Sequence, residues 1–462
     1  MPTLNDVQSK LNETDMDRIE SPSDIDAISN IITSARDSGM QICPAGSLHS
    51  MGGQQFAAGA ISLSSKGLKG IGPLDVTRQT VTVQSGATWP ELVHWLRSSV
   101  ENSQDPLTII QKQTGADELS LGGALSSNIH SRVLGRKPIV ADIESFNIIN
   151  PQGERLLCSR DENTELFRLA VGGYGLFGFV DSMVLKLTKR EKLRRKVGEY
   201  SVEEVIPALE EFTGEGATYG DFQYMTDETS SDYLSKGILS VYTPLIGDGD
   251  IGEDNVGLSI EDWKKLFVLA HTDKSRAYSE YLAHYLSTDG QLYWSDDHQF
   301  SPYLPESGQM LASQMGWKTF ASLMITEIYV PRVSFGKFMS NARTTLIKNN
   351  SNVVYGTVRL IEKEEESYLR WASEDYACVI FNLLVEHSTE GKLLAMKQFQ
   401  DLIDCALKEN GSFYLTYHRW ARKDQIEKAY PQFPQFLEKK EEYDPQNVFT
   451  SDWYRHFVDM FS

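Results

Sequence analysis

The chain has 462 residues and a formal charge of −20, from 64 acidic against 44 basic side chains. That length exceeds a usual single domain, so two domains are expected, and a chain this acidic repels nucleic acid and anionic membrane surfaces as a whole. No stretch approaches about 18 uninterrupted apolar residues, and the opening MPTLNDVQSKLNETD has no basic region followed by an apolar core. Neither a membrane span nor a secretory leader is therefore expected, and a cytoplasmic location is the default. The four cysteines, Cys43, Cys158, Cys378 and Cys405, form no metal knuckle and no C-x-x-C pair, so no metal is expected. Cys43 and Cys378 sit in apolar runs and read as small buried hydrophobes.

Near the start, Ser23 and Asp24 can cap a helix whose apolar face is Ile25, Ile28, Ile31 and Ile32. Gly39 stops it, and a strand over 40–43 delivers the loop PAGSLHSMGGQ at 44–54. In that loop Ala45, Gly46 and Ser47 let backbone N–H groups approach an anion closely. Leu48, His49 and Ser50 follow, then Gln54, and His49 places a nucleophilic imidazole at the same spot. A phosphate cradle beside a ring nitrogen suits a flavin dinucleotide. Short strands at 60–63 and 80–83 and a helix at 89–96 come next, an α+β pattern without the G-x-G-x-x-G of a βαβ series.

Two further small-residue segments follow. LSLGGALSSNIHS at 119–131 carries Ser120, Gly122, Gly123, Ser126, Asn128 and His130, with Thr114 and Gly115 just upstream as further binding candidates. DIESFNIINPQGE at 142–154 reads as a strand and hairpin turning at Pro151, Gln152 and Gly153. The third segment, at 166–187, holds GGYGLFGFV, in which Gly178, Phe179 and Val180 close the pattern.

The basic run KREKLRRK at 189–196 reads as a solvated linker or edge strand, and the acidic run at 362–366 as a solvated face. The loop GDGDIGEDN at 247–255 lacks calcium-loop spacing and reads as a surface turn. Strands are expected over 221–227, 237–245, 326–332 and 377–387, with helices over 335–348 and 393–407: a sheet covered by helices. The tail ends in a helix followed by Tyr443, Asp444, Pro445 and Phe449.

The three glycine-rich segments, in this order and spacing, resemble the motifs of the vanillyl-alcohol oxidase family with its PCMH-type FAD domain. The chain is closest there to the aldonolactone and alditol oxidase and decaprenylphosphoryl-ribose oxidase branches. The resemblance is specific over 40–187 and 413–455. It departs where Leu48 stands for a family glycine, and where Tyr417 and His418 stand for a lysine of the decaprenylphosphoryl-ribose branch. It implies an α+β fold of two domains: a FAD-binding domain over 12–190 and a cap domain over 191–410, whose sheet covers the flavin. Residues 411–462 would return to complete the flavin site. FAD is the implied cofactor, bonded through His49 as in several branches. In related lactone enzymes the residue before the second-motif histidine governs oxygen access, and here that residue is Ile129.

A flavin oxidises an alcohol carbon by accepting a hydride at N5 while a base removes the hydroxyl proton. Candidates for the base are His130 and His418, with Tyr417 as a partner, because imidazole titrates near neutrality. Glu327 and Arg359, on strands expected to cover the flavin, are candidate substrate-hydroxyl binders; a cross-strand ion pair is the plainer alternative. The first functional class is a FAD-dependent oxidoreductase acting on a CH–OH group of a sugar, polyol or lactone, passing electrons to oxygen or another acceptor. A flavin amine oxidoreductase of the cytokinin-oxidase type and a flavin-binding protein without turnover are the alternatives.

Overall fold

The computed structural model describes residues 1–99, 106–247, 249–252, 255–301 and 307–462, so part of the loop at 247–255 lies outside the described residues. Strands are numbered below in chain order.

A small parallel sheet begins the first half: β1 (Arg18–Glu20), β2 (Ile42–Ala45) and β3 (Ile61–Ser64), in order β1-β3-β2. Helix Ile25–Ser38 packs on it. Asp24 accepts the Ala27 N–H at its start, and Gly39, at φ 70°, ends it through N–H bonds to Ala35 and Arg36. Ile28, Ile32, Ile42, Ile61 and Leu63 share one buried cluster with Phe449 from the tail. The predicted strand at 40–43 therefore runs two residues later, because Ile42 pairs with Ile61.

The second sheet is antiparallel: β4 (Ile71–Asp75), β5 (Thr80–Gln84), β6 (Leu107–Ile109), β7 (Ile143–Ile149), β8 (Arg155–Ser159) and β9 (Phe179–Lys189). Its order is β8-β7-β9-β5-β4, with β6 also on β9. β7 and β8 form the hairpin expected from Pro151, Gln152 and Gly153. Helix Trp89–Ser99 and helix Leu121–Ser127 contribute to the same core, through Leu92, Leu96 and Leu125.

The third sheet has eight strands: β10 (Lys192–Ser201), β11 (Tyr219–Tyr224), β12 (Lys236–Pro244), β13 (Leu292–Trp294), β14 (Ala321–Pro331), β15 (Val353–Ile361), β16 (Tyr376–Glu386) and β17 (Ser412–Phe413). The strand order is β13-β10-β12-β11-β15-β16-β14-β17. Register decides which side chains share a face, because neighbours in a strand point oppositely. Phe222, Val358, Val379 and Ile328 take one face and join the core with Phe338 and Phe399 of helices Phe335–Lys348 and Thr389–Lys408. Asp221, Arg359, Cys378, Glu327 and Tyr329 take the other.

Two readings of charge runs are corrected. The basic run is no linker: β10 lies between β13 and β12, and its Arg195 is buried on the polar face. Within the acidic run Glu364 is buried; its carboxylate accepts the N–H groups of Glu366 and Ser367. Among the described residues no helix is long and apolar enough to cross a membrane.

Candidate functional site

The three small-residue segments come together. Strand β2 delivers the first loop, and residues 44–50 line one wall of a cleft with Gln54 and Gln55. Gly122, Gly123 and Ser126 of helix Leu121–Ser127 line another, and Tyr174, Gly175, Gly178, Phe179 and Val180 the third. The cleft's free volume, as a cavity is measured, is about 90 Å³, and it is open to solvent at its mouth.

Its shape depends on absent side chains. A Cβ on Gly46 would lie 2.2 Å from Ser120 Oγ, and one on Gly122 would lie 2.7 Å from Ser85 Cβ. Gly178 sits at φ +147°, where a Cβ would meet the Ile149 carbonyl at 2.6 Å. Two buried polar atoms on the cleft wall, Ser85 Oγ and Gln55 Oε1, have no protein partner. Buried polar groups are nearly always hydrogen-bonded, so unmet atoms on a backbone-lined wall fit a polar dinucleotide.

His49 lies at this wall. Burial lowers its pKa to about 4, against the opposing pull of Asp117 and Asp6, so the ring is neutral at pH 7. Leu48 occupies the left-handed region at φ 62°, the conformation a glycine would take without strain. Its carbonyl accepts the Val7 N–H at 3.0 Å. A loop at the N-terminus thus buttresses the first small-residue segment: Asp6 accepts N–H groups from Gln8 to Leu11, and Asn12 Nδ2 donates to the Met51 carbonyl. Sequence reasoning passed over this loop; its Asn, Asp and Ser content signalled only a turn.

Other binding candidates stand behind the wall. Ser120 accepts the Gly123 N–H as the cap of helix Leu121–Ser127. Asn128 is buried at φ 49°, accepting the Val140 N–H and donating toward Glu364 and Ser367. Thr114 and Gly115 lie on a turn outside the cleft lining.

Hydrogen bonds tie two cleft residues to the segment that reaches the polar face of the eight-stranded sheet. Gln54 Nε2 donates to the carbonyls of Leu415 and Thr416, and Tyr174 shares a hydrogen bond with Thr416 Oγ1. Next along the chain, the Tyr417 hydroxyl donates to Glu327 Oε1 at 2.6 Å. Glu327 Oε2 lies 2.6 Å from His130 Nε2 and accepts the Tyr329 hydroxyl at 3.0 Å. Burial opposes charge on this carboxylate, but His130, Arg359 and Tyr417 outweigh it and bring its pKa to about 2. Burial, then Glu327, pushes the Tyr417 phenol well above its usual range, so it stays a donor. Cys378 Sγ is 3.7 Å from the same carboxylate oxygen. Ligand atoms of His130, Glu327 and Cys378 fall within 4.8 Å of one another, but the short His130–Glu327 bond already couples imidazole and carboxylate as a pair.

Tyr417, His130, Glu327 and Arg359 are thus gathered on one face. His418 is not. Thr326, neighbour of Glu327 in β14, points to the opposite face, and its hydroxyl lies 3.1 Å from His418 Nε2. There the His418 ring stacks on Phe399 and Trp420, and burial takes its pKa down to about 3. The reason is geometric: the chain passes the sheet edge after β17, and consecutive residues 417 and 418 fall on opposite sides. The ion pair weighed for Glu327 and Arg359 is replaced by Glu327 with His130, because β16 separates β14 from β15.

Residues 16–159 match the FAD binding domain family. The chain is 27% identical to cytokinin dehydrogenase 2 of Arabidopsis thaliana over 162 residues, 34% of this chain and 31% of that protein. It is 25% identical to cytokinin dehydrogenase 10 of Oryza sativa subsp. japonica over 248 residues, 49% and 44% of the two chains. With L-galactono-1,4-lactone dehydrogenase 2, mitochondrial, also of Oryza sativa subsp. japonica, it shares 29% over 132 residues, 29% and 21%. The chain spans less than half the length of these relatives. Residues 16–159 are thus similar to the FAD-binding domain of PCMH-type flavoproteins, and the cofactor is FAD.

Proposed function

We propose that this chain is a FAD-dependent oxidoreductase that oxidises a CH–OH carbon of a sugar, polyol or lactone. The observation that carries this reading is the Glu327–His130–Tyr417 cluster beside the flavin cleft. Bound FAD supplies a hydride acceptor. The protein's own groups handle the hydroxyl. Tyr417 and Glu327 bind it, and the His130–Glu327 pair takes its proton. With Nε2 on the carboxylate and Nδ1 3.4 Å from the Ser131 carbonyl, a protonated His130 has an acceptor on both sides. Residues 44–50 and 122–126 would hold the dinucleotide, with His49 neutral and suited to bond the flavin.

A second reading, oxidation of an amine, draws on the cytokinin dehydrogenases among the relatives. The buried guanidinium of Arg359 on the substrate face disfavours a cationic amine.

The test is anaerobic mixing of the holoprotein with polyols, lactones, sugars and secondary amines, following loss of flavin colour. Bleaching by a polyol, sugar or lactone is expected, with His130→Ala slowing it by about 10²–10⁴-fold while FAD content holds. Bleaching by amines alone would refute the reading.

A further inference from the structure

The polar face of the eight-stranded sheet holds more positive charge than its own carboxylates answer. Three cations are buried there or packed against it, Lys112, Arg195 and Arg359, and the half-buried Arg132 joins them through Asp221. Lys112 pairs with Asp117, and Arg132 with Asp221 at 3.3 Å. Glu327 is taken by His130. Among the described residues Arg195 and Arg359 have no carboxylate partner. Arg195 donates to Ser240 Oγ at 2.9 Å and lies over the Tyr285 ring. For Arg359 both Nε and Nη1 are buried with nothing to bond, and the Nε atoms of Arg132 and Arg195 are likewise unmet.

These side chains form one neighbourhood. Register sets Ser240 beside Asp221, and Phe222 opposite Val358 sets Asp221 beside Arg359. Arg359 is in turn opposite Cys378, and Cys378 opposite Tyr329, the Glu327 partner. Strands lie about 4.8 Å apart, so this row runs from the cationic group to the acid–base pair in a few strand widths. The groups feel one another: burial, against Asp117, and then Arg132 and Arg359 lower the Lys112 pKa. Burial and then Arg132, Arg195 and Lys112 push His298 well below its usual range. An isolated buried charge is costly unless paired, and removing a partner leaves that cost exposed. A guanidinium with free donors beside the reacting centre is a socket for an anion, in a protein whose overall charge is −20.

We propose that the substrate carries an anionic oxygen acid group, a carboxylate or a phosphate, received by Arg359 with Arg195 and Arg132 beside it. This rests on the reading of the polar face of this sheet as the substrate site. A substrate carbon held toward Glu327 and His130 would place its acid group a few strand widths away, over β15 and β11.

Three ligands of one carbon skeleton test this: D-sorbitol, D-gluconate and sorbitol 6-phosphate, neutral, carboxylate and phosphate. Each is titrated into the oxidised holoprotein, reading the perturbation of the flavin spectrum and the shift in melting temperature, neither of which needs turnover. At least one anion should half-saturate at about tenfold lower concentration than sorbitol or less. Which anion does so separates carboxylate from phosphate. Arg359→Gln should collapse the preference, and Arg359→Lys should retain part of it. Arg195→Gln, three strands away, gives a second reading should Arg359→Gln fail to fold. Equal response to all three ligands, no response to either anion, or a preference untouched in Arg359→Gln and Arg195→Gln would overturn the proposal. Failure of every alcohol to bleach the flavin would instead overturn the proposed reaction, while the anion preference is read independently of it.

Discussion

Replacing Glu327 by Gln keeps the shape of the side chain and removes its charge. Three donors converge on this carboxylate: Tyr417 at 2.6 Å, His130 at 2.6 Å and Tyr329 at 3.0 Å. An amide offers one oxygen and one NH₂, so Tyr417 must turn from donor to acceptor while His130 and Tyr329 are left with an uncharged oxygen. A hydrogen bond to a buried charged group contributes about 1.5–3 kcal/mol, and several such bonds to Glu327 weaken at once when its charge is removed. The depressed pKa leads to a similar figure. A fall from 4.5 to about 2 corresponds to roughly 3 kcal/mol at about 1.36 kcal/mol per unit. Because the folded pKa lies below the unfolded one, this stabilisation is complete above about pH 5 and is lost as pH falls from about 4.5 through about 2. Urea unfolding of both proteins, followed by circular dichroism, should show a gap of about 3 kcal/mol at pH 7. By about pH 3 the gap should fall below half that, since glutamine does not titrate. A gap below about 1 kcal/mol at pH 7, or one constant down to about pH 3, would refute the assignment of Glu327 as an ionised partner of His130.

Gly46→Ala should abolish FAD retention, measured as flavin absorbance per protein, because its Cβ would lie 2.2 Å from Ser120 Oγ. Flavin should stay with the wild-type protein on acid precipitation and leave His49→Ala; flavin washing freely from the wild type would show that no bond forms. Leu48→Gly should raise stability by up to about 1 kcal/mol, the left-handed penalty of about 1–2 kcal/mol less the entropy cost of glycine. A lower urea midpoint in that variant would show that the Leu48 side chain contributes more packing than its backbone loses.

What could be read from the chain beforehand depended on how local the signal was. The helix from Ile25 to Ser38 has its cap and its stop written within two residues of its ends, and Phe335–Lys348 shows its apolar spacing directly. The cleft was legible for a related reason: closely approaching backbone requires small residues, and these cluster in sequence. Facing was not legible. Glu327 and Arg359 share a face only because β16 intervenes with matching register, and Tyr417 parts from His418 at a sheet edge. Arg195 looked solvated within KREKLRRK because its cover, Tyr242 and Tyr285, comes from segments far along the chain. Glu364 misled in the same way, its local N–H partners being invisible in a run of like charges.

The tail returns to the strand that delivers the first small-residue loop of the cleft. The Ile42 N–H donates to the Val448 carbonyl and the Thr450 N–H to the Ile42 carbonyl, while Gln41 reaches Asn447 across 406 positions. Asp444, paired with Lys440, fixes the turn by accepting the N–H groups of Val448 and Phe449. During synthesis this strand's sheet must therefore wait, one flank open, until residues 444–450 have emerged. A ribosome-bound chain stopped before Asp444 would expose the Ile42 edge and its apolar neighbours, a surface for chaperones rather than for FAD. Completion of that cleft wall then waits on contacts separated by 406 positions, a slow kind of closure in folding.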